Sequence, residues 1–505
     1  MLTNSSPGPS GHSPREALDQ QLIIVSNREP FIHIQGADGQ IQVRRSAGGV
    51  VTAVEPLLRR CGGTWVAHGG GSADRASTDE HDTVAAPPGE PSYQLRRIWL
   101  SDEEVKGHYL GFCNNGLWPM CHRTAILPDF TQQQWQLYKA VNLRFASAVA
   151  EECSTDRPII FVQDYHLALL PRYLRRLVPK AEIAFFWHIP WPDESRVRLC
   201  PWHAQIVKHL LDANLIGFNT RQHCLAFLNC IQASFDTSTS DTRRGERTCR
   251  IGAYPESIEF LPPWIDEIPA IEQCRTALRT THNIPANVCI CLGVDRWDYT
   301  KGLIEKLLAF ELFLATHPHR LERISLIQIL APTRSSLPAY LSLQAKTLHE
   351  ARRINARFGT SHWQPIVLIP EEQSIKSVYS LYRGADFCWV NSLDDGMNLV
   401  AKEFVSARYD EDGALLLSSY AGVAQELNSA ILVDPTNYVE IAAKLEEMLC
   451  MSKNDRRSRM RLMRGIVKMH DAHSWANNII RDLQRSRQAD FDAQGGNCSY
   501  QSILE

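Results

Sequence analysis

Residues 288–302 read VCICLGVDRWDYTKG, and the fold follows from them. The first seven residues are apolar or glycine with no polar alternation, which predicts a strand buried on both faces. Arg296 and Lys301 then leave the same strand-to-helix loop. That loop lies at the carboxyl edge of the predicted sheet, where ligands bind in open α/β folds. Two cations placed together there suit a diphosphate, and the guanidinium adds paired hydrogen bonds to charge. The plainer reading is a solvated loop closed by an internal Arg–Asp salt bridge.

Working outward, the same unit recurs in both directions. Toward the C-terminus come ISLIQIL, IVLIP, DFCWVN, ALLLSSY and AILVDP; toward the N-terminus lie LIIVSN, IIFVQDY, IAFFWHI and IEFLPP (residues 258–263). Amphipathic stretches such as residues 134–153 separate the β-rich runs. Apolar strands alternating with helices predict an α/β protein with parallel, doubly wound sheets. The alternation pauses over the Pro-containing residues 262–286, so two such domains are expected, with a ligand cleft between their carboxyl edges. A chain of 505 residues is too long for one core, which agrees. The polar residues 234–249 read as a surface excursion, and residues 1–20 as a disordered tail with no apolar signal segment.

Composition narrows the partners. The net charge of −3 supplies no broad field for nucleic acid or an anionic membrane, so an anionic ligand must meet a few placed basic residues. No run approaches eighteen apolar residues. The fourteen cysteines are scattered without paired spacings, which fits the reducing cytoplasm. The sequence leaves a homo-oligomeric state open.

Three more segments carry candidate chemistry. Ser46-Ala47-Gly48-Gly49 opens a predicted helix, where bare backbone N–H groups and the helix dipole favour an anion; an ordinary turn is the alternative. Asp394-Asp395-Gly396-Met397-Asn398-Leu399-Val400 runs into a helix that carries Glu403 one turn later. Asp395 and the amides after it could take sugar hydroxyls, and Glu403 a ribose diol, since one carboxylate accepts two hydroxyls. The alternative is a helix start enriched in acids by its dipole. A metal needs more oxygen ligands than the Asp-Asp pair supplies, so no metal site is expected. Asp164 in VQDYH and His188 in FFWHIPWP follow strands and should reach the cleft, although a lone His after a strand is more often structural, and Tyr109 and Trp118 in YLGFCNNGLWP are of types more often core than site.

In this order, the segments resemble the trehalose-6-phosphate synthase family of retaining glycosyltransferases. The resemblance covers residues 22–483 through SNR, SAGG, NNGLWP, QDYHLALLP, FFWHIPWP, GVDRWDYTKG, RINARFG, DGMNLVAKEF and SSYAGVAQEL. It implies a GT-B fold, two Rossmann-like domains whose last helix crosses back to the first. The implied layout is an acceptor-side domain over residues 21–266, a nucleotide-sugar domain over 267–472, the crossing helix over 473–488 and a tail over 489–505. The implied reaction moves glucose from UDP-glucose to glucose 6-phosphate with retention, without a metal or other cofactor.

By the same resemblance, Gly48 and Gly49 approach the donor diphosphate, and Arg296 and Lys301 neutralise it. Leu399 and Val400 offer backbone contacts, Glu403 holds the ribose, Asp395, Met397 and Asn398 bind the donor glucose, and His188 binds its 6-hydroxyl. Asp164 orients the acceptor, whose phosphate is held by Arg28, Tyr109, Trp118 and Arg334. Arg296, Lys301, Asp164 and His188 are the catalytic set. The chain carries Asp394, Gln163 and His68 where members usually have Arg, His and Trp. The alternatives are a sister transferase with another phosphorylated acceptor, such as a glucosylglycerol-phosphate synthase, or a catalytically silent sugar-phosphate-binding regulatory protein.

Overall fold

The computed structural model describes residues 20–493 except residues 47, 235–242 and 245–246. Ala47, most of the 234–249 excursion, nearly all of the N-terminal tail and the end of the C-terminal tail therefore lie outside the described residues.

Two parallel sheets organise the chain. The first runs, edge to edge, Arg250–Ala253, Leu215–Phe218, Glu182–Trp187, Ile159–Gln163, Leu22–Arg28, Thr64–His68, Tyr93–Ile98 and Thr83–Ala86. Only Thr83–Ala86 pairs antiparallel. The second runs Ile366–Ile369, Ile324–Ala331, Cys289–Arg296, Phe387–Val390, Ala414–Ser418 and Ile431–Val433, parallel throughout. Central strands such as Glu182–Trp187 and Ala414–Ser418 are buried at every position, because helices cover both sheet faces. That is the α/β architecture expected from the strand pattern.

One expected strand is absent. Residues 258–263, IEFLPP, are not a strand, and the edge position is taken by Arg250–Ala253. Pro255, Pro262 and Pro263 cannot donate to a ladder, so this stretch serves as the connection between the two sheets. Helix Ile271–Thr281 then lies within the pause in the strand pattern and buries Cys274 and Leu278 in the second core.

The last helix, Ala472–Ala493, returns to the first sheet. Trp475, Ala476, Ile479, Ile480 and Leu483 form one stripe at helical spacing, and all five are buried with Leu57 and Leu58 of helix Gly49–Cys61. Trp475 packs edge-on against Phe186 at 5.0 Å between ring centroids, and its Nε1 donates to Tyr254 O at 3.1 Å. The helix thus ties the end of the chain to the start, as the GT-B expectation required.

Among the described residues no helix is long and apolar enough to cross a membrane. Every described cysteine is free.

Candidate active site

The carboxyl ends of both sheets bring the candidate residues together. Arg28 ends the strand Leu22–Arg28, Asp164 follows Ile159–Gln163, and His188 follows Glu182–Trp187. From the second sheet, Arg296 ends Cys289–Arg296, and Arg334 follows Ile324–Ala331. Tyr109 and the entry to Trp118 come from an unusual element, the π-helix Val105–Leu117. Such helices are rare and concentrate at functional sites.

Trp118 is the meeting point. Its ring lies under Arg334 at 4.0 Å from guanidinium carbon to centroid and under Arg296 at 5.7 Å. Arg334 Nη1 reaches Asp298 at 3.2 Å and Tyr340 Oη at 2.5 Å, while Nη2 lies 3.4 Å from Tyr165 Oη across the cleft. Arg28 donates to Tyr109 Oη and lies over the same ring. Burial raises the Tyr109 phenol, but Arg28, Arg334 and Arg296 outweigh it and hold the phenol below its ordinary range. The arrangement therefore contains an excess of positive charge. Within it, Trp118 Nε1 and Arg334 Nε are buried without a hydrogen-bond partner among the described residues.

Two carboxylates answer the cations. Asp298 is fully buried; burial opposes its ionisation, yet Arg334, Arg296 and Lys301 keep its carboxyl below the usual range. Asp395 Oδ2 receives Lys301 Nζ at 2.5 Å and also bonds Ser392 and Asn398 at 3.0 Å each. Burial raises Asp395, but the Lys301 charge and these bonds bring it down to about 2. The internal Arg–Asp pairing weighed as an alternative thus exists, at 3.9 Å between Arg296 and Asp298, within a cationic cleft rather than a solvated loop.

The donor-side loop is tightly set. Asn398, at φ 82°, caps helix Leu399–Ala407 by accepting from Ala401 N at 3.2 Å. Met397 is buried, and Glu403 accepts from Tyr382 Oη at 2.9 Å. Burial pushes the Glu403 carboxyl up. Gly48 precedes helix Gly49–Cys61 and borders open space, whereas a Cβ on Gly49 would lie 3.1 Å from Leu399 of the opposite unit. Two helix N-termini, with their unpaired amides, thus approach each other across the cleft.

Asp164 stands at φ 74°, and its Oδ1 accepts from His188 N at 3.2 Å. Burial raises its carboxyl, with His188 opposing. The His188 ring is held from both sides. Its Nδ1 lies 3.0 Å from Glu256 Oε2, and its Nε2 lies 2.9 Å from Gln163 Oε1. Asp394 turns away from the cleft centre and clasps the first unit: it accepts from Arg123 N at 2.8 Å, and the Arg123 guanidinium stands 3.5 Å away. His68 Nδ1 is bound to Ile98 O at 3.0 Å.

Sequence reasoning gave no role to Glu256, Asp298, Arg123, Tyr165 or Tyr340. Asp298 stood in the quoted loop, and Tyr165 beside Asp164. Glu256 had only a weak signal, an acid three residues past the end of the edge strand Arg250–Ala253, and no local pattern links it to His188.

Two facing sheets whose carboxyl edges gather arginines and a lysine around paired helix starts define a two-domain α/β enzyme that handles anionic substrates. Residues 20–485 match the model of glycosyltransferase family 20, and the chain belongs to that family. It is 33% identical over 477 residues to the trehalose-6-phosphate synthase of Mycolicibacterium vanbaalenii, covering 92% of this chain and 95% of that one. It is also 33% identical to the UDP-forming alpha,alpha-trehalose-phosphate synthase of Pichia angusta, covering 92% and 99%. Among solved structures, the one described as trehalose-6-phosphate from E. coli bound with UDP-2-fluoro glucose superposes with a TM-score of 0.80 at 30% identity, covering 92% and 98%. The alpha,alpha-trehalose-phosphate synthase of Burkholderia xenovorans in complex with glucose-6-phosphate does so with 0.79 at 32% identity, covering 92% and 100%.

Proposed function

We propose that this protein transfers glucose from UDP-glucose to glucose 6-phosphate with retention, giving α,α-trehalose 6-phosphate and UDP. One observation carries the reading: Arg28, Arg296, Lys301 and Arg334 converge on a cleft in which Asp298 and Asp395 are the paired carboxylates. Each cation stands where a charge-assisted hydrogen bond to a diphosphate or a sugar phosphate can form. The names of the relatives and of the ligand-bound neighbours point to the same pair of substrates.

In this reading Arg296 and Lys301 face the donor diphosphate and stabilise the charge that builds on it as the glycosidic bond breaks. Lys301 moves from Asp395 toward the phosphate, which frees Asp395 to accept sugar hydroxyls beside the amides of Met397 and Asn398. Gly48, Gly49, Leu399 and Val400 line the diphosphate and ribose with backbone, and Glu403 takes the ribose diol. Arg28, Tyr109, Trp118 and Arg334 hold the acceptor phosphate, and Asp164 orients the acceptor ring. The acceptor hydroxyl attacks from the face the diphosphate leaves, and its proton passes to the departing phosphate. No protein nucleophile is used, and the protein contributes position and field. The two cations take the part a divalent metal has elsewhere, so turnover proceeds without one, in the cytoplasm.

A UDP-release assay across donors and phosphorylated acceptors, with NMR of the product, tests this. An α,α-linked phosphorylated disaccharide formed in EDTA is expected. A β linkage, a preference for glycerol 3-phosphate, or activity restored only by magnesium each overturns the corresponding part.

A further inference from the structure

We propose that Glu256 is a donor-sugar residue of this site: one carboxylate oxygen accepts a hydroxyl of the transferred sugar while the other fixes His188. The proposal rests on the reading that the cleft takes a nucleotide sugar.

Glu256 follows the edge strand Arg250–Ala253 and is held from both units. Its N–H donates to Asn219 Oδ1 at 2.9 Å, and its carbonyl accepts from Lys402 Nζ, in helix Leu399–Ala407, at 2.7 Å. The side chain is 6% exposed. Oε2 is occupied by His188 Nδ1 at 3.0 Å, whereas Oε1 is buried with no hydrogen-bond partner among the described residues. That free oxygen points at the gap between the two helix starts. A Cβ built on Gly49 would lie 3.8 Å from it and 3.1 Å from Leu399.

The chemistry of the free oxygen selects its ligand. A carboxylate oxygen only accepts, so the atom that meets it must carry a proton. A sugar hydroxyl satisfies that; a phosphate oxygen is repelled. A buried acceptor left unpaired costs free energy, so a hydroxyl there gives back what burial took. Repulsion of the neighbouring diphosphate is limited by His188. Burial lowers the His188 pKa, but the Glu256 charge and hydrogen bond at 3.0 Å outweigh it and raise it, which favours the protonated ring beside the carboxylate. Gln163 completes the assembly as a positioning residue.

The test compares Glu256→Ala and Glu256→Gln with the unsubstituted protein, using UDP-glucose, UDP-xylose and the deoxy forms of UDP-glucose as donors and glucose 6-phosphate as acceptor. Calorimetric titration with UDP alone runs alongside. Loss of a charged-acceptor bond corresponds to about a ten- to hundred-fold fall in kcat/KM for UDP-glucose. For the donor that lacks the matching hydroxyl, the variants should differ from the unsubstituted protein by less than about threefold. UDP affinity should be unchanged, because the free oxygen faces sugar rather than phosphate. Equal losses with every donor, or a comparable fall in UDP affinity, overturn the proposal. Glu256→Gln preserves shape and decides the matter if Glu256→Ala does not fold. Should the unsubstituted protein use a different nucleotide sugar, the earlier reading alone fails, and the same comparison is made with deoxy forms of that sugar.

Discussion

At the scale of single residues, burial and pairing separate the four cations into two kinds. Arg28 is exposed and bonds only Tyr109 among the described residues, whereas Arg334 is buried against Asp298, which is itself fully buried. Arg28→Ala should therefore lower kcat/KM for glucose 6-phosphate by about ten- to hundred-fold, with little change in melting temperature. Arg334→Ala should cause a similar kinetic loss and also melt early, because it strands a buried carboxylate. Activity on free glucose, which lacks the phosphate, should hardly respond. Kinetics with both sugars and a thermal melt check this; an undiminished preference for the phosphorylated sugar in both variants ends the assignment.

Lys301 and Glu403 should fail differently. In the proposed reaction Lys301 faces charge that grows in the transition state, so Lys301→Ala should lower kcat by roughly 10²-fold or more. Glu403→Gln should mainly raise the donor KM. The Lys301–Asp395 pair also has a pH signature. The Asp395 carboxyl lies at about 2, below its ordinary value of 3.8, so its contribution to stability is present above pH 3.8 and is lost as pH falls toward 2. Melting temperature followed from pH 5 to pH 2 should fall less steeply in Asp395→Asn than in the unsubstituted protein. Parallel curves would mean that the pair does not form.

At the scale of elements, the donor loop depends on close backbone approach. A Cβ on Gly396 would lie 2.1 Å from the carbonyl oxygen of His188, and one on Gly422 would lie 2.1 Å from that of Gly396. Three backbone segments are stacked there, and none has a flexible side chain that could move aside. Gly396→Ala should displace the loop that carries Asp395 and the start of helix Leu399–Ala407. A shift of about 1 Å at reacting groups costs on the order of 10²-fold in rate. The expected result is that loss in kcat/KM for the donor with the helical CD spectrum retained. Normal turnover in a folded Gly396→Ala would show that the loop has slack.

At the scale of the whole molecule, the Arg123–Asp394 contact joins the two units through two bonds of unequal strength. The Arg123 side chain is 60% exposed, and its charge pairing with Asp394 is worth about 0–1 kcal/mol. The backbone bond from Arg123 N to the buried Asp394 carboxylate is the stronger half. Arg123→Ala should thus leave stability and donor KM nearly unchanged. Asp394→Ala should lower the melting temperature and loosen the cleft, visible as a larger radius of gyration by X-ray scattering. Equal effects of the two variants would place the energy in the ion pair instead.

The sequence by itself determined the class of fold. Strands buried on both faces must be apolar along their length, and that pattern is local, so VCICLGV and its counterparts announced two parallel sheets. Strand ends also located Asp164, His188 and Arg296, because the carboxyl edge follows from chain direction, whereas Arg28 and Arg334 came from the family resemblance. The one failed strand, residues 258–263, was apolar for another reason, as a connection packed between units. Only the tertiary structure decided who pairs with whom. The contacts of Lys301 with Asp395, Arg334 with Asp298, Asp394 with Arg123 and Glu256 with His188 span 94, 36, 271 and 68 residues of chain. Only the Arg334–Asp298 contact stays within neighbouring strand-end loops. Hydrogen bonds and burial act over a few ångströms in space, and a linear pattern carries no record of which distant segments the packing of two sheets will bring that close.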